Sequence, residues 1–222
     1  MIKSLKIAVV GHFQVGKSTL VNCLLRKRAA KCGDTTTSTT EKAKKYQCHH
    51  LTLIDTPGIN AEDAHAAEME KSVQQADLAL LVVTTEKVLS TPLCHMITYI
   101  GKQRIPLYGV INCWDDKNWN DGDPTNMNDQ LINTIQTQIK ECLNPIDMAV
   151  VNIEWAAAAR GCLENVGRQK MILKEKNSNY LEEASKFQEV EQFLFPENYS
   201  LAFSKFGLEY AALVSKFIRR YK

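Results

Sequence analysis

Residues 11–19 read GHFQVGKST and satisfy the spacing G-x-x-x-x-G-K-[ST], a pattern whose chemistry is the binding of a polyphosphate. Glycines let the backbone come close to the anion, and the N–H groups of Gln14, Val15, Gly16, Lys17, Ser18 and Thr19 can surround its oxygens. A helix opened by such a loop directs its positive end at the same charge. Lys17 then reaches the β- and γ-phosphates, and the Ser18 hydroxyl is offered to Mg²⁺. The same residues could form a glycine turn with an exposed lysine, and the flanks argue against it. Residues 5–10 (LKIAVV) are an apolar run of strand length and residues 18–26 (STLVNCLLR) have helical character, so strand, loop and helix follow in the order the chemistry requires.

The elements that must hold this loop in place can be read along the chain. Residues 43–47 and 51–54 form two strands of a hairpin around residues 48–50, and 61–75 is an alanine-rich helix. Residues 78–83 (LALLVV) are a buried strand, 92–101 a helix, 107–112 (LYGVIN) a further strand, 130–143 an amphipathic helix and 148–154 the last strand. The polar stretches 31–41, rich in threonine, and 115–128, rich in Asp, Asn, Gly and Pro, are loops. Alternating strands and helices predict an α/β fold of three layers: a mostly parallel central sheet, helices on both faces, and a ligand at the carboxyl ends of the strands.

Composition narrows the classes. A chain of 222 residues with 45% hydrophobic residues carries enough apolar surface for a single domain with a large core. A formal charge of +2 creates no large positive field, so wholesale nucleic-acid binding does not follow from charge. Seven cysteines with no paired C-x-x-C spacing suggest reduced thiols in an intracellular, cytoplasmic protein. The first apolar run is short and leads into the glycine loop, so it reads as a core strand and not as a leader, and no run has the length of a membrane span.

The order of motifs, from phosphate loop through threonine-rich loop, DTPG at 55–58 and NCWD at 112–115 to WAAAARG at 155–161, resembles the translation-factor class of small P-loop GTPases. The Era/TrmE-like and dynamin-like branches are the most similar, over roughly the first three quarters of the chain. The resemblance implies the P-loop NTPase fold, GTP and GDP as ligands, and Mg²⁺. It assigns Asp55 to the Mg²⁺ through a water, as a hard cation prefers oxygen ligands, and the amide of Gly58 to the γ-phosphate. The second Mg²⁺ hydroxyl comes from Thr39, read ahead of Thr40, in a segment that orders with the γ-phosphate and relaxes on hydrolysis. Lys17, Thr39 and Gly58 are thus the catalytic set, and Ser18, Thr39 and Asp55 the metal set. Asn112 and Asp115 match the family's Asn-Lys-x-Asp with Cys113 in place of lysine. The Asp115 carboxylate can accept N1–H and the exocyclic amino hydrogen of guanine, which adenine does not offer. Ala157 and Ala158 stand for the family's Ser-Ala, contributing a backbone N–H to the guanine oxygen.

The position after DTPG, a glutamine in Ras-like enzymes, is Ile59, which cannot hydrogen-bond. Slow unassisted turnover follows, with the missing element drawn from a monovalent cation, the threonine loop or a homodimer partner across the switch face. Gln14, where the cation-dependent branch carries Asn, has a carbonyl oxygen able to ligate K⁺. The reading is one GTP-binding domain over residues 1–222 with a C-terminal helical extension from about residue 163, acting as a nucleotide-dependent switch on an effector protein. The alternative is a non-hydrolysing GTP-binding module that docks a partner. Five scattered histidines show no metal spacing, and Trp114 and Trp119 read as packing of their loop. Residues 170–186 are a charged, helix-prone stretch, and residues 201–221 place Phe206, Tyr210, Leu213, Phe217 and Tyr221 on one helical face that packs on the sheet. A membrane or RNA contact through the basic end FIRRYK is the less favoured reading.

Overall fold

The computed structural model describes residues 5–31, 42–49, 51–59, 63–85, 90–113, 129–142, 145 and 147–195. Six strands form one sheet: β1 (Leu5–Gly11), β2 (Lys44–Cys48), β3 (Leu51–Asp55), β4 (Leu78–Thr84), β5 (Leu107–Asn112) and β6 (Asp147–Val151). Their order is β2-β3-β1-β4-β5-β6. Only the β2–β3 pair is antiparallel. The strands that read as unbroken apolar runs are those covered on both faces, and side-chain alternation divides them between two cores. Leu78, Leu80 and Val82 enter one, and Ala79, Leu81 and Val83 enter the other. β2 is the exposed edge, and Lys44 and Lys45 lie along it, charges that discourage pairing with another chain.

The second core is closed by α2 (Asp63–Gln74), α3 (Thr91–Lys102) and α4 (Asp129–Cys142) through Met69 and Val73, Leu93 and Ile97, and Ile135 and Ile139. The first is closed by α1 (Lys17–Leu25) and by four short helices after β6: α5 (Ile153–Ala159), α6 (Val166–Glu175), α7 (Ser178–Ala184) and α8 (Gln188–Leu194). The expected three-layer α/β fold with a mostly parallel sheet is therefore present.

Two boundaries differ from expectation. The last strand was predicted over residues 148–154, but the ladder ends at Val151. Asn152 takes extended geometry and its Oδ1 accepts the Trp155 N–H at 2.9 Å, an N-cap that begins a helix. The alanines that follow, strong helix formers, continue it. The helix-prone stretch 170–186 is divided between two helices: Asn177 Oδ1 accepts from Tyr180 N–H at 2.8 Å and starts α7 as a separate unit after α6. The segments 114–128 and 201–221 lie outside the described residues.

The helices after β6 are fixed to the first core by aromatic and ionic contacts. Phe193 stacks on Tyr108 of β5 with centroids 3.9 Å apart, and Phe187, Val190 and Leu181 are buried with it. Arg160, at the end of α5, has a side chain only 3% exposed. Its Nε donates to Glu182 of α7 at 3.0 Å, its Nη1 to Glu191 of α8 at 2.9 Å and to the Cys23 carbonyl of α1 at 3.3 Å, and it lies 4.8 Å from the Phe187 ring centroid. Burial works against the charge, but the bonds to the two carboxylates outweigh it and keep the guanidinium more basic than usual. Truncating Phe193 to alanine removes a stacked, fully buried ring and is expected to destabilise the fold by about 3 to 5 kcal/mol, read as a lower urea midpoint. A midpoint unchanged within error would mean that α8 is not part of the cooperative unit.

Candidate functional site

Between the end of β1 and the start of α1 the backbone admits only glycine at two points. A Cβ on Gly11 would lie 2.2 Å from the Val82 carbonyl oxygen. Gly16 has φ +97°, and a Cβ there would lie 2.9 Å from Asn112 Nδ2. Between them the chain curls with Gln14 exposed at φ 61° and Val15 fully buried. Leu20 N–H to Gly16 O at 2.8 Å closes the first helical turn, so the amides of Lys17 and Ser18 at its start have no intrahelical acceptor.

Lys17 is 7% exposed and its Nζ donates to the His12 carbonyl at 2.6 Å. Burial lowers its pKa to about 8, with the charge of Asp55 opposing the shift. Ser18 Oγ donates to Asp55 Oδ2 at 2.8 Å. Asp55, at the end of β3, is 1% exposed, and its other oxygen, Oδ1, has no hydrogen-bond partner among the described residues. Burial raises the carboxyl pKa, while the Ser18 bond and the charges of Lys17 and Lys44 lower it. A serine hydroxyl and a buried carboxylate with one oxygen unsatisfied are a hard-donor pair of the kind a divalent cation prefers, so the residues fit the Mg²⁺ that the resemblance implies.

The turn after Asp55 is pinned to the loop. Thr56 Oγ1 donates to Val9 O at 2.7 Å. A Cβ on Gly58 would lie 2.6 Å from Phe13 Cα, so only glycine lets the turn approach this closely. Ile59 N–H donates to Gly11 O at 3.2 Å, and the Ile59 side chain, 3% exposed, belongs to the second core and not to the phosphate end.

On the other side, Asn112 ends β5 and is 1% exposed. Its Nδ2 donates to Val15 O at 3.1 Å and its Oδ1 accepts the Ile153 N–H at 3.0 Å. Cys113 is buried, with its N–H on Val151 O at 2.8 Å. The structure thus brings together Gln14, Val15, Gly16, Lys17, Ser18, Thr19, Asp55 and Gly58, with Asn112 clamping the loop from behind. Thr39, Thr40 and Asp115 lie outside the described residues.

Ala157 and Ala158 require a correction. They are not a turn after the last strand but the middle of α5, fully buried and more than one turn from its start, where the helix uses their N–H groups. The turn that leaves β6 beside Asn112 is instead at Asn152 and Ile153, which the sequence reading passed over. In the first turn of α5, Ile153 N–H goes to Asn112, Trp155 N–H to the Asn152 side chain and Ala156 N–H to the Asn152 carbonyl at 3.2 Å. The available signal was the asparagine before an alanine run, an N-cap pattern.

Comparison with known proteins shows what this chain is similar to: GTPases. Residues 6–113 match the family model described as 50S ribosome-binding GTPase. GTPase Der of Nitratiruptor sp. is 30% identical over 121 residues, 50% of this chain and 26% of that protein. The tRNA modification GTPase MnmE of Campylobacter jejuni is 38% identical over 96 residues, 40% of this chain and 22% of that protein. The chain therefore spans about a quarter of the length of these relatives. In fold it resembles Era solved with MgGDPNP and a segment of 16S ribosomal RNA (TM-score 0.54, 21% identity, covering 78% of this chain and 57% of that one). Aquifex aeolicus Era bound to GDP and aluminium fluoride gives the same TM-score, 0.54, with 21% identity, covering 78% of this chain and 56% of that one. Among the described residues no helix is long and apolar enough to cross a membrane.

The depressed pKa of Lys17 gives a testable pH dependence. Its ordinary value is 10.5 and its folded value about 8, so between those limits the unfolded chain binds the proton and the nucleotide-free fold gains stability as pH rises. A triphosphate restores the charge, so its binding takes up a proton there. Affinity for GTP is expected to fall as pH rises through 8, by about tenfold per unit once Lys17 is neutral. Calorimetry between pH 7.5 and 8.8 in buffers of different ionisation enthalpy measures both effects, and a flat Kd with no proton uptake contradicts the assignment.

Proposed function

We propose that this protein binds GTP with Mg²⁺, hydrolyses it to GDP and phosphate, and works as a nucleotide-dependent switch. The observation that carries the reading is the Ser18–Asp55 pair, one carboxylate oxygen unsatisfied, beside the buried Lys17. The loop amides and Lys17 hold the β- and γ-phosphates. Ser18 and Asp55, with Thr39 from the threonine segment, would hold the Mg²⁺, which when bound neutralises charge shared by the β- and γ-oxygens. Gly58 reports the γ-phosphate: its turn rests against Phe13 in this structure, and a terminal phosphate would compete for its amide. Asp115 reads the base, and the β6–α5 turn, tied to Asn112 through the Ile153 N–H, would offer a backbone N–H to the guanine oxygen. The chain is read as one nucleotide-binding unit over residues 1–222, with a helical extension from about residue 163; the first core, which holds Tyr108 of β5 together with Phe193 of α8, supports this as far as the described residues reach.

A second reading, a GTP-binding module that does not hydrolyse, is favoured by one observation: the Ile59 side chain is in the core and offers nothing to a water. Phosphate release measured in K⁺ and in Na⁺ separates the readings. Turnover, faster in K⁺ if Gln14 ligates that ion, supports the enzyme, whereas tight GTP binding without turnover in either salt supports the module. Under either reading Lys17→Ala is expected to lose about 1.5 to 3 kcal/mol of GTP affinity while staying folded, the worth of a charge-assisted bond. Calorimetric binding equal to wild type would remove the phosphate-loop assignment.

Base selection has a separate test. Asp115→Asn places an amide donor against the guanine amino group and removes an acceptor, whereas xanthine offers a carbonyl oxygen at that position. Each buried polar group left unpaired costs about 1 to 3 kcal/mol, so XTP is expected to gain on GTP in the variant and ATP to gain nothing. Competition among the three nucleotides measures it, and an unchanged order of preference would show that Asp115 does not read the base.

A further inference from the structure

Two thiols from distant parts of the chain meet behind the phosphate loop. Cys23 on α1 and Cys162 in the turn after α5 are both free and fully buried. Their sulfurs stand along one row of α5 carbonyls: Cys23 Sγ lies 3.6 Å from Ile153 O, and Cys162 Sγ lies 3.5 Å from Ala157 O. Those acceptors are four residues apart, about one helical turn, and across that step the Cys23 thiol donates to the Cys162 sulfur. Arg160 stands beside the pair, its Nη1 on the Cys23 carbonyl at 3.3 Å. A buried cysteine packed as a small hydrophobe is inert, but this pair is polarised. Burial and the bond to Cys162 hold Cys23 protonated. Cys162 accepts that bond and feels the Arg160 charge, which together outweigh burial and keep it more acidic than an ordinary thiol. An acidic sulfur next to a protonated thiol is the arrangement of an attacking and a resolving cysteine. Cys162 also lies in a surface turn, with Gly161 and Glu164 exposed, so a small oxidant reaches it through the movement of that turn.

We propose that Cys23 and Cys162 form a reversible disulfide with hydrogen peroxide as the oxidant, fastening α1, the helix opened by the phosphate loop, to the end of α5. The Cys162 thiolate attacks one peroxide oxygen and the O–O bond breaks. The leaving hydroxide takes up the proton that Cys162 released, giving water and a sulfenic acid at Cys162. The Cys23 sulfur then attacks the Cys162 sulfur, the S–O bond breaks, and the hydroxide leaves with the Cys23 proton as a second water. Two thiols lose two electrons to form the S–S bond, and one peroxide is reduced to two waters. Dithiothreitol reverses the step by thiol–disulfide exchange. The chemistry is independent of the nucleotide the loop takes. Asn112 already ties the start of α5 to the loop, so the cross-link would hold α5 to the nucleotide-binding layer at both ends.

The experiment treats the folded full chain with hydrogen peroxide, alkylates the remaining thiols in denaturant and maps the unreduced peptides by mass spectrometry. A Cys23–Cys162 cross-link that dithiothreitol removes is expected, with a melting temperature about 4 to 8 °C above that of the reduced protein. Oxidised Cys23→Ala is expected to lack that rise, and dimedone to capture a sulfenic acid at its Cys162. The wild-type map decides whether or not the variant folds. Cys23 and Cys162 both recovered alkylated while other cysteines are oxidised overturns the proposal. So does either of them linked mainly to another cysteine, or a cross-link that forms only in urea-unfolded protein. A cross-linked protein that melts with the reduced one overturns the fastening of α1 to α5, and an unlabelled Cys162 in folded Cys23→Ala overturns its role as the attacking sulfur.

Discussion

A buried carboxamide, that of Asn112, ties the phosphate loop to the rest of the sheet. Its Nδ2 bonds the Val15 carbonyl from the middle of the loop and its Oδ1 bonds the amide that begins α5. Both partners are backbone groups removed from water, so losing the carboxamide would leave a buried donor and a buried acceptor unsatisfied at about 1 to 3 kcal/mol each. The position is usable only because the loop has glycine at 16, where a Cβ would lie 2.9 Å from that same Nδ2. One side chain at the end of β5 thereby ties the loop to the start of α5.

With the loop fixed, the charges inside it are left in tension. Lys17 and Asp55 are both buried, and burial weakens the charge of each while each supports the other's. Neither is fully compensated: the ammonium has a backbone carbonyl, and the carboxylate has one serine bond and one bare oxygen. Water is excluded from both, so electrostatic interactions here are stronger than at the surface. A polyphosphate and a divalent cation supply the missing opposite charges, which is the physical basis of the reading offered above.

The helices after β6 extend this rigidity away from the loop. Arg160 joins α5 to α7 and α8 and reaches the Cys23 carbonyl of α1, the helix that the phosphate loop opens. The Arg160 side chain is nearly dry while its two carboxylate partners reach solvent, so removing those partners would strand the guanidinium charge in the core. Because Arg160 and Asn112 grip opposite ends of α5, the start of α5 and the back of α1 are parts of one packed layer.

Much of this was legible before any coordinates. The β1 run, the glycine spacing of 11–19 and the unbroken apolar runs of β4 and β5 report local backbone geometry and two-sided burial, which one segment can encode alone. The pairing of Lys17 and Ser18 with Asp55 was legible only through the order of motifs. The alanines at 157 and 158 were misplaced because the end of a ladder depends on whether a partner strand is there to continue it, and Asn152 wins that competition by capping a helix instead. Ile153 and Arg160 carried no signal of their own: a lone isoleucine or arginine has no spacing to betray a role. The sequence by itself determined the loop, the strands and the charge-bearing residues, since these follow from conformational freedom and hydrophobic period. Only the tertiary structure decided that Ile59 faces the core and that Asn112 holds two distant backbones, since each depends on strands far apart in the chain lying side by side.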